Sequence, residues 1–189
     1  MLQNQIESNR IEFNSHSDVL DDAFSQQRCH RSSVFFSNRT AVGIPGDGRC
    51  LFRSVAHGAC LRAGKPSPSE SLQKELADDL RGKVVDEFIK RRADTEWFLE
   101  GDFDTYIGQM RQPHIWGGEP ELLMSCHVLQ TPIAVYMHDK KSGKLKVIAE
   151  YGQEYGKENP VRVLYHGYGH YDAIQASRNG SVTKSFKKR

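Results

Sequence analysis

The chain has 189 residues, 38% of them hydrophobic and 26% charged, a globular balance with room for one sizeable core. A formal net charge of +2 is too small to argue for nucleic-acid binding, and no apolar run approaches the roughly 20 residues that a membrane-crossing helix requires. The opening MLQNQIESNR lacks the apolar core of a secretory signal, which points to a reducing compartment and free thiols at Cys29, Cys50, Cys60 and Cys126. No CxxC pair occurs, so a structural zinc is not expected, and no metal or organic cofactor is implied.

In chain order, residues 1–33 are polar with scattered apolar positions and read as an extension, either a short surface helix or flexible. Apolar runs at 34–36 and 41–44 bracket a polar turn, and Pro45-Gly46-Asp47-Gly48 follows as a loop. A helix is expected over residues 50–63, with Leu51, Val55, Ala59 and Ala63 on one stripe and Gly64 ending it. Ser67, Pro68 and Glu70 then carry the signature of a capped helix start. Leu72, Leu76, Leu80, Val84 and Phe88 repeat every four residues, widened by Val85 and Ile89, so a core-facing helix runs to about residue 92. Short helical pieces follow around Trp97-Phe98 and Tyr106-Ile107. A further helix begins at Pro120 after Gly117-Gly118, with Leu122, Leu123, Cys126 and Leu129 inward.

The last third reads as sheet. Residues 133–137 form a continuous apolar strand, Lys140-Lys141-Ser142-Gly143 a hairpin turn, and Leu145, Val147 and Ala149 the alternating return strand. Residues 161–165 are a third strand, and Gly167-Tyr168-Gly169 turns the chain into a fourth over 170–174. Beyond Ile174 the chain becomes polar and ends in the basic run 184–189, a solvated tail or a nuclear-import signal. Helices first and a mostly antiparallel sheet last make an α+β domain.

Cys50 falls at a strand-loop-helix transition, at the first turn of its helix, where unpaired N–H groups and the positive end of the dipole favour a thiolate. Gly46-Asp47-Gly48 lets the loop aim its amides inward as an oxyanion hole, and Asp47 is placed to accept bonds that hold the loop. A half-buried structural cysteine remains equally open on this local context. Cysteine catalysis needs a histidine and a group to orient it. His57 lies roughly 10 Å along the same helix, and His166 has no carboxylate two places on. His170 does: Asp172 follows on the same face of the strand, placed to hold the imidazole tautomer.

These residues resemble the ovarian-tumour (OTU) family of cysteine deubiquitinases. Asp47-Gly48-Arg49-Cys50 matches its D-G-x-C motif, followed by Leu51-Phe52-Arg53-Ser54. His170-Tyr171-Asp172 matches its H-Y-[DN] motif, Trp116-Gly117-Gly118 with Glu121-Leu122 resembles its W-G-G-x-x-E-[LI] element, and residues 133–136 fall where it has an I-x-V-[YF] strand. The resemblance covers about residues 40–175. It implies a papain-like α+β fold, with 34–175 as the catalytic domain between the 1–33 extension and a 176–189 basic tail. It implies hydrolysis of the bond after ubiquitin's last glycine, with ubiquitin, polyubiquitin or ubiquitinated proteins as partners, and neither nucleic acid nor membrane.

By the same resemblance Cys50 is the nucleophile, His170 the general base and acid, and Asp172 the orienting carboxylate. The Asp47, Gly48, Arg49 and Cys50 amides form the oxyanion hole. Gly167 and Gly169 are placed to let a narrow channel close over the Gly-Gly tail. Trp116 is a candidate substrate contact, although a packing role in the core is the stronger reading of it. A monomer in the cytoplasm, or also in the nucleus, is expected. A catalytically silent ubiquitin-binding module and a protease for a ubiquitin-like modifier are the alternatives.

Overall fold

The computed structural model describes residues 39–176. The 1–33 extension, the 34–36 run and the basic 184–189 run lie outside the described residues. Strand β1 (Arg39–Val42) leads into α1 (Cys50–Arg62) and the long α2 (Glu70–Lys90). The short α3 (Arg92–Thr95) continues as a 3-10 turn (Glu96–Phe98), followed by α4 (Phe103–Met110) and α5 (Glu119–Leu129). Strands β2 (Ile133–His138) and β3 (Leu145–Tyr151), a 3-10 turn (Gln153–Tyr155), β4 (Val161–Tyr165) and β5 (Tyr171–Ala176) complete the order.

The strands form one sheet in the order β1-β5-β4-β2-β3. Every pairing is antiparallel except β2 with β4, so the expected α+β class and mostly antiparallel sheet hold. Ile133 and Val135 of β2, Val161 and Val163 of β4, and Tyr171 and Ala173 of β5 join the main core with the helices. The alternate residues Ala134, Tyr136, Leu164 and Ile174 form a smaller cluster with Leu145. Apolar burial on both faces explains why β2 reads as an unbroken hydrophobic run.

Helix α2 follows the predicted stripe, with Leu76, Leu80, Val84, Val85 and Phe88 buried. Ile89 is 48% exposed instead. A four-residue step turns about 40° past a full revolution, so the stripe drifts around the helix, and Leu72 and Ile89 fall at opposite edges of the buried arc. The cap also differs from expectation: Ser69, not Ser67, occupies the N-cap, and its hydroxyl accepts from the Leu72 amide at 3.3 Å. A start at Glu70 places that carboxylate in the first turn, where the helix dipole favours it, and leaves Pro68 outside the helix.

One contact fixes a helix to the sheet where the chemistry lies, and another ties two helices together. Ser54 on α1 donates to the carbonyl of Tyr171 on β5 at 3.0 Å. At the head of α5 the buried Glu121 accepts from the Gly118 amide at 2.6 Å and from the Tyr106 hydroxyl at 2.5 Å. Burial pushes the Glu121 carboxyl up, against the pull of these donors.

Candidate active site

Cys50 is the first residue of α1 and is buried. Arg49 at the N-cap makes no side-chain capping bond, so the first-turn amides of α1 lack the partner that an ordinary cap supplies. The Cys50 thiol lies 3.6 Å from the carbonyl of Gly169, one peptide before His170.

The loop before Cys50 is held from several sides. Asp47 Oδ1 accepts the Arg49 amide at 3.1 Å and Oδ2 accepts Arg53 Nη1 at 2.9 Å. Partial burial pushes the Asp47 carboxyl up, but the Arg49 amide and the Arg53 guanidinium outweigh it and hold the carboxyl below its usual range. Arg53 is buried and donates through Nε to Gln73 Oε1 at 2.8 Å, and Gln73 Nε2 meets His57 Nδ1 at 3.1 Å. A hydrogen-bonded chain thus runs from His57 through Gln73 and Arg53 to the loop. Burial pushes the His57 imidazole down, disfavouring its charged form.

Arg81 of α2 supplies the other anchor. Its guanidinium donates to the carbonyls of Gly48 at 2.9 Å, Met110 at 3.1 Å, Pro113 at 3.2 Å and Ile115 at 2.9 Å, and stacks 4.3 Å above the Phe52 ring. Gly48 has φ +84°, and a Cβ there would fall 2.4 Å from the His114 Cα. Only glycine fits so close an approach in that backbone conformation.

His170 lies at the end of the β4–β5 hairpin, one residue before β5 begins rather than on the strand as expected. Its Nε2 is 3.2 Å from Asp172 Oδ1, which also accepts the Ile44 amide at 2.8 Å. Asp172 is buried. The expected same-face pairing of His170 and Asp172 is therefore present, and a second imidazole joins it: His166 Nε2 is 2.7 Å from Asp172 Oδ2.

The i, i+2 criterion that singled out His170 passed over His166. The turn at Gly167–Gly169 pairs His166 with His170, the His166 amide bonding to the His170 carbonyl at 3.0 Å, and Asp172 is then its diagonal neighbour. Nitrogen and oxygen atoms of His166, His170 and Asp172 lie within 4.8 Å of one another, as in a metal-ligand set. The 2.7 and 3.2 Å separations are those of imidazole N–H groups donating to a carboxylate.

Trp116 does not enter the core. It is 62% exposed, and its ring covers Gly169, whose Cβ position would fall 2.6 Å from Trp116 Cε3. Gly117 takes the inner position of that motif, its Cβ position 3.2 Å from the Phe52 ring, which leaves the neighbouring indole outside. Gly167 has φ +84° and open space around it, so backbone conformation rather than crowding calls for glycine there. Tyr168 at the tip is exposed, and Tyr171 points into the core as its strand position predicts.

Residues 45–172 match the family model described as OTU-like cysteine protease. The chain is 65% identical over 162 residues to ovarian tumor domain-containing deubiquitinating enzyme 4 of Arabidopsis thaliana, covering 85% of this chain and 51% of that protein. Enzyme 3 of the same name and plant is 29% identical over 155 residues, covering 70% and 66%. The chain thus spans about half to two-thirds of the length of these relatives.

Among solved structures, the OTU domain of OTUD1 is similar with a TM-score of 0.56 at 25% identity, over 72% of this chain and 85% of that one. The Hazara virus OTU bound to ubiquitin has a TM-score of 0.58 at 20% identity, over 77% and 87%, a likeness of fold. With the fold, the ordered motifs and the matched 45–172 span in agreement, the chain belongs to the OTU-like cysteine protease family.

Proposed function

We propose that the chain is a deubiquitinating cysteine protease, hydrolysing the isopeptide or peptide bond after the terminal glycine of ubiquitin. The observation that carries this reading is the placement of the Cys50 thiol against the Gly169 carbonyl, one residue before His170, whose imidazole is tied to Asp172. The relative at 65% identity is named for this activity. Family membership supplies the thiol protease chemistry.

Asp172 accepting from Nε2 of His170 leaves Nδ1 as the basic nitrogen, free to take the thiol proton. The thiolate attacks the terminal glycine carbonyl. The amides of Asp47, Gly48 and Cys50 are the donors to the resulting oxyanion; the Arg49 amide is already bonded to Asp47 Oδ1 and has the role of holding the loop. His170 next protonates the leaving amine, the C–N bond breaks, and a thioester remains on Cys50. Water, deprotonated by His170, attacks that thioester and releases ubiquitin and the thiol. Gly167, Gly169 and the exposed face of Trp116 line the path of the glycine tail.

A ubiquitin probe with a C-terminal electrophile tests the reading. A covalent adduct in the wild type, absent in Cys50→Ala, is expected; tight binding without an adduct would leave a silent binding module instead. A panel of diubiquitin linkages and matched probes on ubiquitin-like modifiers then defines the substrate.

A further inference from the structure

Asp172 is more tightly engaged by His166, at 2.7 Å, than by His170, at 3.2 Å. Its carboxylate has three donors among the described residues: the Ile44 amide and His170 share Oδ1, and His166 alone occupies Oδ2. The strand register produces this arrangement. Asp172 lies opposite Leu164, His170 lies opposite His166, and alternate residues of neighbouring strands share a face, so the three side chains converge on one side of the hairpin end. The rings of His166 and His170 are 5.5 Å apart and inclined at 39°, each bonded to a different oxygen of the same carboxylate.

We infer that His166 is a positioning residue of the active site, fixing the plane of the Asp172 carboxylate so that Oδ1 stays aimed at His170. The inference rests on the roles proposed above for Cys50, His170 and Asp172. A carboxylate anchored at one oxygen alone turns about that anchor. A buried oxygen without a donor also draws the group toward whatever donor or water it can reach. His166 prevents both, because its bond is the short one and holds the oxygen that His170 does not engage. It acts through Asp172 and touches no reacting atom. Being partly exposed, it can be replaced by water in part, so its loss weakens the alignment without abolishing it.

A double-mutant cycle separates this role from a structural one. Two readouts are measured in the wild type, His166→Ala, Asp172→Ala and the double variant. The first is kcat/KM on a fluorogenic ubiquitin substrate. The second is the rate of Cys50 alkylation by iodoacetamide across pH, followed by mass spectrometry, which requires no ubiquitin. His166→Ala is expected to lower kcat/KM by about tenfold, less than the full loss of a charge-assisted bond, chiefly in kcat, and to shift the alkylation profile. In the Asp172→Ala background it is expected to change neither readout. His166→Gln, whose amide can donate to Oδ2, is expected to recover most of the loss.

The same fold-loss from His166→Ala in both backgrounds, or no loss in the wild type, would overturn the inference. Full activity in Asp172→Ala would remove the role proposed for Asp172, and the inference with it. An additive cycle in which Asp172→Ala is itself impaired removes the inference alone.

Discussion

At the scale of single residues, three glycines with positive φ surround the thiol and differ in what a methyl group would meet. At Gly48 a Cβ strikes the His114 backbone at 2.4 Å, which has nowhere to move. At Gly169 it strikes the Trp116 ring, an exposed side chain that can swing aside, and at Gly167 it meets nothing within 4 Å. Gly48→Ala is therefore expected to cost about 3 kcal/mol, strain and overpacking together, and to reduce kcat/KM by about a hundredfold. Gly167→Ala should cost about 1 kcal/mol, from backbone strain alone. Urea unfolding of the two variants checks the order, and equal losses would contradict it. Gly169→Ala should slow ubiquitin cleavage while iodoacetamide still labels Cys50 at the wild-type rate, because the displaced indole lies on the tail path and not at the sulfur. Cys50, His170 and Asp172 were legible at this scale because each sits in a local pattern. His166 was not, since its partner is a diagonal neighbour across a turn. The outward position of Trp116 was hidden for a related reason: Gly117, one residue on, packs inward against Phe52.

At the scale of elements, α2 does more than bury a stripe. Arg81, midway along it, joins the Gly48 carbonyl to the 110–115 segment, so the loop before Cys50, held by Arg53 from the Cys50 helix, has a second anchor on a different one. Arg81→Lys supplies a point charge where a planar fork bridges four carbonyls. It is expected to destabilise by about 3 kcal/mol and to lower kcat with little change in KM. A urea midpoint near that of the wild type would exclude the clamp. The cap of the same helix gives a second test: Ser69→Ala should cost about 1 kcal/mol and Ser67→Ala only a few tenths, with cleavage kinetics unchanged in both. Periodicity revealed α2 because large apolar side chains four residues apart share a helix face, and a run this long exceeds any ordinary strand. It did not reveal which serine caps it, since two serines flank Pro68, nor that Arg81 is buried, since its partners are main-chain carbonyls from distant loops. Ile89 departed from the stripe by the drift of the repeat.

At the scale of the whole molecule, the buried His57 and the largely buried His127 link stability to pH. Burial pushes His57 and His127 below the ordinary histidine value of 6.5. The unfolded chain therefore binds more protons than the folded one as pH falls through that value, so stability falls with pH in this window. Between about pH 7.5 and 5.5 the urea midpoint should decline, and His57→Gln should decline less steeply than the wild type. Parallel slopes would show that His57 binds protons equally in the folded and unfolded states. The difference between the two proteins isolates His57, because His127 and the upward-shifted Glu121 are common to both. The overall plan, helices followed by a mostly antiparallel sheet, was legible from element order. The parallel β2–β4 pair was not, because strand direction depends on the crossover that carries the chain past β3.

The bond from Ser54 to the Tyr171 carbonyl joins positions 117 residues apart, and the thiol contact to Gly169 spans 119. During synthesis, the ribosome delivers Cys50 long before the residues that make it reactive. A nascent chain stopped ahead of the β4–β5 hairpin holds a thiol with neither imidazole nor carboxylate, and β1 without the neighbour it pairs with. The growing polypeptide is thus kept inert as a protease by its own chain order until the final strand has emerged.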